Sequence, residues 1–300
     1  MPIIDNFKPF DMKSLVILLF THLAIMFGCQ AQTPVTLRYF MQAPALPAST
    51  IPYGTNPDAG HYITSGDARI YYEIYGKGAP LVILHGGVVG SPYEMGEFID
   101  SLSKYYQVIA ISTRGHGKSG LGKKPPTYEL KAEDVNAIIS SITMDSAIVL
   151  GFSDGAYTGS FLAALHPEKI KKLIAIGAGI WDKGFRKFNN TRDLLFGLDS
   201  LYFTQQLKMM PQPERFDEWL TTTNQVYNTT EVGQKIFGKI KCPVLMMAGE
   251  RDQNAPLETV IAAYKMIGHA QLSIIPNAPH PAFLVNFPAV WTSMKPFLDQ

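Results

Sequence analysis

Short β-rich apolar runs, separated by helix-length segments, limit this chain to few architectures. The runs occupy 69–75, 81–84, 108–111, 147–150, 173–176, 244–247 and 272–275. Most lack polar alternation, as expected of strands buried on both faces. Helix-length segments fill 91–104, 129–142, 155–165, 256–267 and 281–298. Strands alternating with helices predict an α/β fold, a mostly parallel sheet with helices on both faces. Residues 61–300 carry this pattern as one domain.

One connection breaks the rhythm. About 65 residues separate Ile176 from Val244, and they are rich in aromatic residues and Met, among them Trp181, Phe188, Phe196, Phe203, Met209, Trp219 and Tyr227. A structureless loop of that length is uncommon. The stretch at about 181–238 therefore predicts an inserted helical lid over the sheet, with extra core helices as the alternative.

The N-terminus has a different character. Lys8 and Lys13 precede an apolar run from Leu15 to Phe27, and Gly28, Cys29, Gln30, Ala31 and Gln32 follow. A basic flank, a short apolar core and small residues read as a signal peptide over 1–32 and predict export. Two cleavage readings stand. Met26-Phe27-Gly28-Cys29 resembles a loose bacterial lipobox, in which an acylated Cys29 would hold the enzyme at a membrane. Cys29-Gln30-Ala31 also resembles an ordinary small-x-small site. Residues 33–60, with much Pro, Ala and Thr, read as a linker or surface-wrapping arm.

Hydrophobic residues make up 46% of the chain and charged residues 17%, enough apolar content for a large core. The net charge is +1, with no long block of one sign, which gives no footprint for nucleic acid. The chain has only two cysteines, too few for a disulfide framework or a Cys-rich metal site. Cys242, before an apolar run, reads as a buried thiol. No cofactor motif stands out, and none is expected to be needed.

The chemistry concentrates at the ends of the predicted strands. Gly151-Phe152-Ser153-Asp154-Gly155 follows one strand and opens a helix, the context that G-x-S-x-G requires. A nucleophilic serine there needs a sharp turn, and glycines on both sides avoid collisions with neighbouring backbone. Its hydroxyl also needs a base. Of seven histidines, His280 lies in Asn277-Ala278-Pro279-His280-Pro281, after the last strand and before the final helix. The acid should follow the run at 244–247, where Gly249-Glu250-Arg251-Asp252 stands. Asp252 is the candidate and Glu250 the fallback. His85-Gly86-Gly87 follows another strand and offers the backbone N–H of Gly87, with Val88 as the alternative, to an oxyanion. The N–H of Asp154 is the second donor, and His85 reads as structural.

Arg114-Gly115-His116-Gly117-Lys118-Ser119-Gly120 ends in G-K-S, but position 112 is serine where a phosphate loop needs glycine. The turn reads as structural.

HGG, RGHGKS, GFSDGA, GERD and NAPH stand in order on the expected elements. Together they resemble the α/β-hydrolase superfamily from about Tyr62 onward. Ser153-Asp154-Gly155 with a helical lid is similar to the valacyclovir-hydrolase (biphenyl-hydrolase-like) group. The superfamily resemblance implies a Ser153–His280–Asp252 triad and a small-molecule ester substrate cleaved through an acyl-enzyme. Amide and C–C bond cleavage on the same triad, and ligand binding without turnover, are the alternatives. The group resemblance implies two roles for Asp154, a carboxylate that meets the amine of an amine-bearing ester or only a backbone N–H. Exported lidded esterases that open macrolide lactones are a further resemblance.

Overall fold

The computed structural model describes residues 37–43 and 49–300. The leader, Cys29 and the cleavage readings attached to it lie outside the described residues. Residues 37–300 cluster as one unit.

The alternating runs form β1 (Gly60–Ser65), β2 (Ala68–Tyr75), β3 (Ala79–Leu84), β4 (Tyr106–Ile111), β5 (Ala147–Phe152), β6 (Ile170–Ile176), β7 (Val244–Gly249) and β8 (Gln271–Ile275). They build one eight-stranded sheet in the order β1-β2-β4-β3-β5-β6-β7-β8. β1 and β2 pair antiparallel, as do β2 and β4, and every other pairing is parallel. β1 has no counterpart among the sequence-derived runs. Its residues are mostly exposed or half-exposed at the sheet edge, so no apolar pattern marks it.

The helices between strands are α1 (Gly96–Leu102), α2 (Tyr128–Ile142) and α3 (Asp154–Leu165). β3 explains why its run is apolar throughout. Val82 and Leu84 face the core layer packed with α2 and α3, while Leu81 and Ile83 face the layer under α1. Both faces exclude water, so no position tolerates a polar residue.

Between β6 and β7 the chain forms three helices, α4 (Arg192–Met209), α5 (Phe216–Thr229) and α6 (Gln234–Phe237). Leu195, Tyr202, Phe203, Phe216, Trp219 and Leu220 give this insertion a core of its own. α4 is broken at Asp199, whose backbone leaves helical geometry. The Asp199 carboxylate accepts from the Tyr202 N–H and caps the second half. It also accepts from the Met41 N–H at 2.7 Å and pairs with Arg38 at 3.0 Å. Part of the stretch read as a linker or arm thus lies against the insertion.

α7 (Leu257–Ile267) precedes β8, and α8 (Ala282–Val285) and α9 (Phe287–Asp299) follow it. The segment 281–298 is two helices and not one, because Asn286 leaves helical geometry and caps α9 through the Ala289 N–H. Cys242 is free and buried, and burial raises its pKa to about 11. Among the described residues, no helix is long and apolar enough to cross a membrane.

Candidate active site

Ser153 joins β5 to α3 with φ 51° and ψ −113°, a left-handed conformation that is strained for any residue but glycine. Two glycines make the turn possible. A Cβ on Gly151 would strike the Gly155 carbonyl, and one on Gly155 would strike the backbone of Leu84 and His85. The strain holds the Ser153 side chain above the sheet at the start of α3.

His280 reaches Ser153 from the loop after β8. Its Nε2 accepts from Ser153 Oγ at 2.8 Å, and its Nδ1 donates to Asp252 Oδ2 at 2.7 Å. A carboxylate can only accept, so the proton sits on Nδ1 and Nε2 is free to act as base. Asp252 follows β7 and its side chain is fully buried. Its other oxygen, Oδ1, accepts from the N–H groups of Asn254 (2.8 Å) and Ala255 (2.7 Å). Two more glycines clear the path. A Cβ on Gly249 would strike the Ala278 and Pro279 carbonyls of the histidine loop, and one on Gly177 would lie 3.0 Å from the His280 ring. Glu250, the fallback acid, instead accepts from the Asn277 N–H and is spent on that loop.

The turn after β3 carries Gly87. Gly86 N–H donates to Glu94 Oε1 at 2.7 Å, and the Val88 N–H is taken by the Tyr227 hydroxyl. The Gly87 and Asp154 N–H groups meet no acceptor among the described residues. Gly87 is therefore the better placed of the two donors read from this turn. A Cβ there would collide with the Tyr227 hydroxyl. His85 lies beneath, fully buried. Its Nε2 accepts from the Thr113 N–H at 3.1 Å and its Nδ1 donates to the Gly86 carbonyl at 2.7 Å. Burial lowers its pKa to about 4, so it stays neutral and braces the turn. The RGHGKS turn is likewise structural, with Arg114 buried between Asp134 (2.8 Å) and Asp67 (2.6 Å). His166, at the end of α3, meets Glu133 at 2.8 Å.

The Asp154 carboxylate shows a different arrangement from the amine-binding role. It faces Lys131 Nζ at 2.7 Å and accepts from Tyr128 Oη (2.9 Å) and Tyr227 Oη (2.8 Å). Burial alone would raise its pKa, but the Lys131 ammonium, with the Tyr227 hydrogen bond adding to it, brings the net shift downward. Its charge is already balanced, so a substrate ammonium would compete with Lys131. The other role, a backbone N–H beside Ser153, needs no change in this arrangement. Neither Lys131 nor Tyr128 is marked by the sequence, and Tyr227 stands out only as one aromatic residue of the insertion. They lie 23, 26 and 73 residues from Asp154, and no local spacing links them to it.

Ser153 and His280 open into a cavity of about 200 Å³. Gly87, Glu94 and Phe152 form part of its wall, and Trp181, Arg186, Phe188 and Tyr227 of the insertion form another part. Glu94 is buried, and burial raises its pKa to about 8. Among the described residues, no group of three or more His, Cys, Asp or Glu is placed to hold a metal ion.

Comparison with known proteins bears on the fold. Residues 79–208 match the family model of the alpha/beta hydrolase fold. The AB hydrolase superfamily protein YisY of Bacillus subtilis is 26% identical, over 75% of this chain and 93% of that protein. The human serine hydrolase BPHL is 23% identical, over 76% of this chain and 82% of that protein. Among solved structures, the enol-lactonase of Burkholderia xenovorans superposes with a TM-score of 0.65 at 20% identity, covering 80% of this chain and all of that one.

Proposed function

The chain is a hydrolase of the α/β-hydrolase superfamily that resembles the biphenyl-hydrolase-like group, and on that premise we propose that it cleaves carboxylic esters through an acyl-enzyme on Ser153. One observation carries the reading. Ser153 Oγ, His280 Nε2, His280 Nδ1 and Asp252 Oδ2 stand in hydrogen-bonded sequence at the cavity.

Ser153 Oγ attacks the ester carbonyl as Nε2 takes its proton. Asp252 holds the tautomer and stabilises the imidazolium without taking the proton. The oxyanion is received by the Gly87 and Asp154 N–H groups, whose hydrogen bonds strengthen as charge develops. His280 returns the proton to the leaving alcohol, then draws one from water to release the acid. The helices between β6 and β7 act as a lid, and their aromatic rings exclude water from the reacting carbonyl. The basic and apolar leader supports export, and the mass of the mature N-terminus tests whether Cys29 is acylated.

The deciding experiment follows hydrolysis of short-chain p-nitrophenyl esters by the protein beside Ser153→Ala. An initial burst and steady turnover, both lost in the variant, support the acyl-enzyme. Equal rates in the two proteins would remove Ser153 from the mechanism. Binding of a ligand without turnover or fluorophosphonate labelling would favour a binding protein.

A further inference from the structure

The charges around the cavity do not balance. Four ionisable side chains line it beside the tyrosines: Glu94, Asp154, Arg186 and His280. Asp154 is balanced by Lys131 and His280 is held by Asp252. Arg186 has no such partner: among the described residues, no carboxylate forms an ion pair with it. Its guanidinium lies 4.2 Å from the Trp181 ring centroid and 5.3 Å from that of Phe188. Ring faces attract a cation but accept no directed N–H bond at its edge. Arg186 Nε is buried and has no hydrogen-bond partner.

Tyr157 stands beside it. The Tyr157 hydroxyl accepts from the Gly179 N–H at 3.2 Å and is also in reach of Arg186. With its oxygen used as acceptor, its own O–H remains to donate. A permanent cation with a spare N–H and a phenol with a spare O–H thus lie on the wall of one cavity. The Nε–H of Arg186 and the O–H of Tyr157 are left without an acceptor, and a carboxylate supplies two oxygens and a negative charge.

We propose that Arg186, with Tyr157, forms a carboxylate-binding subsite, and that the ester this site cleaves carries a second, anionic carboxylate group. The inference rests on the ester-hydrolase reading and deepens it by naming the substrate class. The aromatic wall then has a second role. It fixes the plane of the guanidinium and keeps water from competing for the ion pair.

The test uses matched ester pairs with the full-length protein at neutral pH. Monomethyl adipate and methyl hexanoate differ by a carboxylate in place of a methyl group on the acid side. Acetoxybutanoate, esterified at its terminal hydroxyl, and butyl acetate differ in the same way on the alcohol side. The wild type is expected to favour the anionic member of at least one pair by about tenfold or more in kcat/KM, chiefly through KM. Arg186→Gln should lose most of that preference and Arg186→Lys should keep part of it. Equal kcat/KM within both pairs, or equal losses on charged and neutral members in Arg186→Gln, overturns the proposal.

If neither pair turns over, adipate protection of Ser153 against a fluorophosphonate is read instead. Protection in the wild type but not in Arg186→Gln supports the subsite, and no protection overturns it. If Ser153 neither labels nor turns over any ester, the hydrolase reading fails. Calorimetric adipate binding that depends on Arg186 would then still support the subsite, and its absence would sink both.

Discussion

The Asp154 carboxylate lies 2.7 Å from Lys131 Nζ, and both side chains are almost wholly removed from solvent. The residue after Ser153 is thus the buried end of an ion pair, with Tyr128 and Tyr227 supplying two further donors. A charge taken from water this completely persists only when its partners are kept. Lys131→Met is expected to destabilise the protein by about 3–5 kcal/mol, because it strands Asp154. Lys131→Met with Asp154→Leu should recover part of that loss. Chemical denaturation of the single and double variants checks both values.

The same pair bears on amine recognition. Asp154→Asn should slow an aminoacyl ester and its uncharged analogue by the same factor. Steady-state rates on the two esters decide the matter. A loss confined to the amine-bearing ester would restore a substrate-binding role for the carboxylate.

Asp252→Asn makes a sharper prediction. Oδ1 is fixed by the Asn254 and Ala255 N–H groups, so the new amide nitrogen must face His280 Nδ1. That donor forces Nδ1 to accept and moves the imidazole proton to Nε2, where it blocks transfer from Ser153. The rate at neutral pH should fall by about 10³–10⁴-fold while the fold is retained, as in the serine-protease case where the same exchange traps the wrong tautomer. Turnover and circular dichroism measured on one preparation separate the two effects.

Glu94 gives a pH dependence with a definite sign. Burial raises its folded pKa to about 8, above the unfolded value of 4.5. The stability it contributes is therefore complete below pH 4.5 and is lost as pH rises towards 8. An ionised Glu94 would also oppose an oxyanion, since it lies directly behind Gly86. Glu94→Gln keeps an acceptor for the Gly86 N–H and removes the titration. The variant should show a flatter Tm across that window and lose less activity on the alkaline side. A parallel decline in both proteins would exclude Glu94 as its source.

Gly151→Ala should be among the most damaging single-methyl changes in the chain. The added carbon has no space against the Gly155 carbonyl, and the turn cannot yield without moving Ser153. A loss of about 2 kcal/mol or more is expected, within the range for overpacked cores. Thermal melting measures it. Gly197→Ala, where a Cβ meets nothing within 4 Å and φ is not positive, controls for the added methyl without a collision.

These predictions draw unequally on sequence. Ser153, His280 and Asp252 were legible because each sits just beyond a strand, in a turn whose local residues mark it. A strand buried on both faces is apolar throughout, so its end is easy to see. β1 was not legible, since an edge strand with one wet face needs no such run. The break at Asn286 was missed because apolar residues continue on both sides of it. Lys131, Arg186 and Glu94 were also missed, and Tyr227 was read only as a lid aromatic. Each reaches the site through packing between elements distant in sequence, and a lone lysine or arginine on a helix or loop usually marks a solvated face.

The pairing of Asp199 with Arg38 and Met41 has a practical consequence for anyone shortening this chain. A boundary drawn at the first strand would discard both partners and leave a buried carboxylate beside the break in α4. Recombinant versions should begin ahead of Leu37. A version starting at Gly60 would leave the insertion between β6 and β7 without one of its ties to the rest of the chain.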